Sequence, residues 1–81
     1  MTENRKMDYA KTQEALMQRY GAIKGLQMNA TVMPNLVRDF TGMLEKAPRG
    51  QEISEDYLFD DIKGGIRLIG RDGEITGFKL L

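Results

Sequence analysis

The stretch Gln51 to Gly65, QEISEDYLFDDIKGG, decides how the C-terminal half of the chain is read. As a helix it is marked at both ends. Ser54, the one serine in the chain, stands where an N-cap is wanted, and its hydroxyl can accept a bond from an orphan amide of the first turn. Glu55 and Asp56 follow at the positive end of the helix dipole. Ile53 and Leu58 have the spacing of a hydrophobic staple. Lys63 falls in the last turn, and Gly64 can take the left-handed conformation that ends a helix. These signals predict a helix over Ser54–Lys63. Tyr57, Leu58 and Ile62 lie on its inner side and Phe59 on the flank, while Asp56, Asp60 and Asp61 face outward.

Upstream of this stretch, Pro48-Arg49-Gly50 reads as a loop. Before it, Met33, Leu36, Val37, Phe40, Met43, Leu44 and Ala47 recur at helical spacing, with Pro34 suited to the first turn. This is the strongest amphipathic pattern in the chain and predicts the core helix. Gly42 falls inside it, at about 1 kcal/mol relative to Ala, so a close neighbour is expected there. Further back, Leu26, Met28, Ala30 and Val32 alternate with Gln27, Asn29 and Thr31. A period of two predicts a short strand or extended segment over 25–32. Met, Ala, Asn and Gln are poor strand formers, so a continuing helix is the alternative. Gly21 and Gly25 read as a break, with a close helix–helix seam as the alternative. The first helix runs from Arg5 to about Tyr20, with Asn4 available as its cap and residues 1–4 frayed.

Downstream, Ile66 to Gly70 and Glu74 to Leu81 form a hairpin about Arg71-Asp72-Gly73. A two-residue Asp72-Gly73 turn sets Ile66 against Lys79 and mixes the two faces. A three-residue loop instead pairs Ile66 with Phe78, Leu68 with Thr76 and Ile69 with Ile75. The three-residue loop is preferred because it gathers Ile66, Leu68, Phe78 and Leu80 on one side, and register follows the apolar pattern. An isolated hairpin is marginal in water, so it must lie on the helices, recruit 25–32 as a third strand, or pair with another chain.

The sum is one small α+β domain over residues 1–81, with about three helices followed by a C-terminal β-hairpin. With a short extra strand near 25–32, the order is compatible with a winged-helix-like arrangement.

Composition narrows the chemistry. The chain has 81 residues, no cysteine and no histidine. Disulfides, thiol chemistry and the commonest general base and metal ligand are therefore absent. Ser54 is accounted for by the cap, which leaves no catalytic residue to nominate. Asp56, Asp60 and Asp61 on one exposed helix read as surface rather than as a magnesium site, so no metal and no cofactor is expected. There is no apolar run of membrane-spanning length and no signal-peptide core, so a cytoplasmic protein is the default expectation.

Net charge is zero but unevenly placed: residues 1–50 carry eight basic and five acidic side chains, residues 51–81 four basic and seven acidic. Five acids and no base fall between Glu52 and Asp61. A DNA-binding transcriptional regulator is the alternative function, but the acidic helix would then occupy the recognition position and repel phosphate. The main expectation is a non-enzymatic interaction module: a small inhibitor, adaptor or regulatory subunit. Glu55, Asp56, Tyr57, Phe59, Asp60 and Asp61 would engage a protein partner with a basic surface. A merely solvated face is the plainer reading of the same acids. Apolar surface left over on the first helix and the hairpin also points to self-association, a homo-oligomer of two copies.

Overall fold

The computed structural model describes residues 7–81. Three helices come first: α1 (Tyr9–Tyr20), α2 (Ala22–Thr31) and α3 (Met33–Lys46). Three strands follow: β1 (Ile53–Leu58), β2 (Gly65–Arg71) and β3 (Glu74–Leu80). They form one antiparallel sheet in the order β1-β2-β3. The α+β class and the three-helix count hold. The start of the first helix at Arg5, the Asn4 cap and the frayed residues 1–4 lie outside the described residues. Within them, Asp8 caps α1, its Oδ1 accepting from the Lys11 amide at 3.3 Å.

Helix α3 organises the molecule. Its Met33, Val37, Phe40 and Leu44 are buried, and it touches all three strands. The core joins these residues to Leu16, Met28, Ile66 and Leu68. Each such side chain taken out of water contributes about 1.5–3 kcal/mol. Pro34 stands in the first turn of α3, where its missing N–H is no loss. The close neighbour expected at Gly42 is not there: a Cβ built on it meets nothing within 4 Å.

Residues 25–32 are helical, not extended. Only Gly21 and Val32 separate α2 from its neighbours, so the chain is nearly continuously helical from Tyr9 to Lys46. Gly21, at φ 96°, ends α1 and starts α2, and the two helices fold back on each other. Gly25 fills the other role considered for it. A Cβ there would lie 2.5 Å from the Met17 Cα, so only glycine allows this approach. The polar residues that gave the period of two are placed by tertiary bonds. Buried Thr12 donates its hydroxyl to Asn29 Oδ1 at 2.6 Å, and Asn29 Nδ2 donates to the Tyr9 carbonyl at 3.1 Å. A buried amide with both ends bonded locks the register of the hairpin.

The predicted helix over Ser54–Lys63 is not formed. Residues 53–58 are strand β1, and the chain then loops through Phe59–Gly64. The helix signals are all local, and a ten-residue helix is marginal without packing. Pairing with β2 satisfies one row of backbone groups from Ile53↔Gly70 to Leu58↔Gly65. It also converts the marginal two-stranded hairpin into a three-stranded sheet. The third strand is thus supplied by 53–58 rather than by 25–32, and the segment expected in a recognition-helix position is an edge strand. Ser54 is exposed on β1 opposite Ile69 and caps nothing.

The hairpin closes through the two-residue Asp72-Gly73 turn and not through the expected three-residue loop Arg71-Asp72-Gly73. Asp72 at φ 55° and Gly73 at φ 82° make a two-residue turn of the type I′ kind. A bulge then intervenes, since Gly70 pairs with Ile75 but Ile69 pairs with Gly77, leaving Thr76 as the extra residue. Beyond it Leu68 opposes Phe78 and Ile66 opposes Leu80. The expected pairs Ile66–Phe78, Leu68–Thr76 and Ile69–Ile75 are corrected by this shift. The expected apolar face of Ile66, Leu68, Phe78 and Leu80 survives, because the bulge restores the alternation that the tight turn would spoil.

Candidate partner-binding cleft

The β1–β2 connection runs past the ends of two helices. Phe59 N–H donates to the Gly64 carbonyl at 3.0 Å and closes the loop at its base. Phe59 sets its ring edge-on to Tyr20, with centroids 6.0 Å apart and planes at 80°. That contact anchors the loop to the end of α1. Between the loop, α2 and the start of α3 lies a cleft of about 560 Å³. Met28, Val32, Leu36 and Phe59 give it apolar walls. Asp60, Asp61, Asn35 and Lys24 stand among its polar lining. Lys24 Nζ and Asp61 Oδ2 are 3.4 Å apart and tie α2 to the loop across the cleft. Leu58, the last residue of β1, also lines it and is 77% exposed.

The six side chains expected to form one surface are divided by the strand. Phe59, Asp60 and Asp61 come together at the cleft. Glu55, Asp56 and Tyr57 do not line it. Alternation along β1 sends Tyr57 toward α3, where its hydroxyl donates to Asp39 Oδ2 at 2.6 Å. Burial, and with it the bond to Asp39, raises the phenol above its ordinary range. Glu55 shares that side of the strand but is exposed. Asp56 points to the other face, opposite Arg67 on β2. Its two oxygens accept from Arg67 Nε at 2.7 Å and Nη2 at 3.2 Å. This forked bond holds the carboxyl below its usual range. Asp56 therefore acts as a cross-strand tie, and Tyr57 as an anchor of the edge strand on α3.

Sequence reasoning finds only Phe59, Asp60 and Asp61 of the cleft; the residues it misses include Lys24, Met28, Val32, Asn35, Leu36 and Leu58. Lys24, Met28 and Val32 lie four apart, on one side of a helix. That spacing is present in the sequence, and it points to a shared face once 25–32 is read as helical. Helical spacing gives Leu58 an inward place, and the strand replaces that spacing. Among the described residues no group of three or more acidic, histidine or cysteine side chains could hold a metal ion. Among them, too, no helix is long and apolar enough to cross a membrane.

Compared with protein-family models, with curated proteins and with solved structures, the chain matches none.

Proposed function

We propose that the protein is a non-enzymatic binding module, a small inhibitor, adaptor or regulatory subunit, that captures a protein partner in the cleft between the β1–β2 loop and helices α2 and α3. The observation that carries this reading is Leu58. A leucine 77% exposed at the mouth of a concave site, beside half-buried Phe59, leaves apolar surface available to a partner. Asp60 and Asp61 beside it favour a partner that presents a cation next to an apolar anchor. The absence of histidine and cysteine from the chain supports a binding role over a catalytic one.

The test is affinity capture from cell extract, with bound proteins identified by mass spectrometry. Leu58→Ala combined with Asp60→Lys and Asp61→Lys should abolish capture of the partner and leave the circular dichroism spectrum unchanged. Glu74→Lys, exposed at the far hairpin turn, should capture as the parent does. Equal capture by the triple variant removes the cleft from the binding surface.

A further inference from the structure

The sheet has two outer strands, and they differ. β3 is blunted by a bulge at Thr76 and by Lys79, and Met7, Asp8 and Lys11 share a pocket with its residues 75–78. β1 has none of these features. Its six residues pair one for one with β2, without a shift, and include no proline, lysine or arginine. Among the described residues no strand lies beyond it. Ser54, Glu55 and Asp56 are exposed in succession. In an antiparallel pair alternate amides and carbonyls turn away from the neighbour, so a regular row of β1 backbone groups is open to a further strand.

Charge decides which strand can add there. Of the five acids between Glu52 and Asp61, three have cations: Glu52 has Arg71, Asp56 has Arg67 and Asp61 has Lys24. Glu55 and Asp60 have no ion-pair partner among the described residues, and neither has Asp39 on α3. Glu55 lies on the α3 side of β1 with Tyr57. Its charge and that of Asp39 both act on the Tyr57 hydroxyl, so the two carboxylates stand together at the edge. A second copy of β1 is a poor fit. Paired antiparallel over their length, two copies set Glu55 against Asp56, Glu55 against Glu55, or Asp56 against Asp56, and like charges directly opposed are destabilising. A strand carrying Lys or Arg reverses that sign. Its cations on the α3 side would meet Glu55 and Asp39, and Asp60 continues the negative charge into the cleft.

We infer that the partner presents an extended basic segment that adds to the open edge of β1 as a further strand. Leu58, the last residue of β1, joins this edge to the cleft. The inference rests on the cleft as the partner site and adds the form and charge of what enters it. Main-chain bonds along β1 supply affinity, and the carboxylates select the sequence.

The probe is an end-capped peptide of about eight residues alternating lysine with valine, enough to span the strand. Added to isotope-labelled protein, it should shift the β1 amide signals and slow hydrogen exchange at those amides that face away from β2. A peptide of equal charge with proline in place of valine cannot donate along the edge and should bind roughly tenfold more weakly. Glu55→Lys, exposed on β1, should keep the parent's circular dichroism and weaken the lysine–valine peptide roughly five- to tenfold. Glu74→Lys, at the far hairpin turn, should leave it unchanged. No binding by about 1 mM, shifts confined to β3, equal affinity for the proline peptide, or an unaltered affinity of Glu55→Lys each overturns the inference. None of these readouts uses the natural partner. Strand addition by the peptide, with undiminished extract capture by the triple cleft variant, supports the edge and removes the cleft. Capture lost in the triple variant, with no peptide on β1, keeps the cleft and overturns the edge.

Discussion

Helices α2 and α3 are adjacent, both carry an interior glycine, and both bury methionine in the same core. They differ in how completely their surfaces are used. In α3 the apolar side is buried at Met33, Val37, Phe40 and Leu44, and exposed Asn35, Arg38, Asp39, Glu45 and Lys46 complete the helix. Such a helix needs nothing beyond the fold to which it belongs. In α2 the contacts with α1 rest on a glycine and a doubly bonded asparagine, while Ile23 and Leu26 stay in water. One helix is shaped by burial of apolar area. The other is shaped by close backbone approach and polar register, with apolar surface left over. The lesson is that an amphipathic pattern marks a helix whose burial matches its sequence, whereas α2 is held by close approach and polar bonds and keeps its large apolar residues exposed.

Substitutions can break this comparison. The largest expected effect is Phe40→Ala, which removes a fully buried ring from the centre of α3. It should destabilise by about 3–5 kcal/mol in urea or guanidinium titration. Gly25→Ala comes next. Its methyl group would meet backbone, which cannot swing aside as a flexible side chain can. The helices must separate, and a loss of about 1–3 kcal/mol is expected despite alanine's better helix propensity. Gly42→Ala is the counterpart in α3 and should have the opposite sign. With nothing within 4 Å of the new methyl, it should stabilise by about 0.5–1 kcal/mol, read as a rise in melting temperature. If the two glycine substitutions shift stability in the same direction, the close seam between α1 and α2 is not the reason for Gly25.

The same contrast explains what was readable in advance. Helix α3 was plain because its pattern and its burial coincide. Gly25 reads in the sequence as a break or a seam, and the distinction lies in Met17, eight residues away. The alternation from Leu26 to Val32 resembled a strand because Asn29 is polar, yet Asn29 is buried against Thr12, seventeen residues back. In the candidate site, Phe59, Asp60 and Asp61 were named and do meet at the cleft. Tyr57 and Asp56 were named for surface roles, but contacts with Asp39 and Arg67 give them structural ones. Lys24 and Leu36 are not legible as cleft residues because the helices that bring them to the loop are distant from it in sequence.

By itself the sequence determined the α+β class, the core helix from Met33, the presence of a hairpin turn about Arg71-Asp72-Gly73 and the apolar set Ile66, Leu68, Phe78 and Leu80. Each follows from a periodicity or a turn residue confined to one segment. Tertiary structure alone decided that Ile53–Leu58 is an edge strand and not a helix, that Thr76 forms a bulge, and that the loop after Leu58 closes over α2 and α3. The physical reason is common to all three. In a helix each backbone amide finds its partner four residues away, but β1 finds its partners on β2, seven to seventeen residues along the chain. The end signals of QEISEDYLFDDIKGG stabilise a helix only by small local increments. The paired strand, the Tyr57 anchor on Asp39 and the Asp56–Arg67 bridge act together and outweigh them.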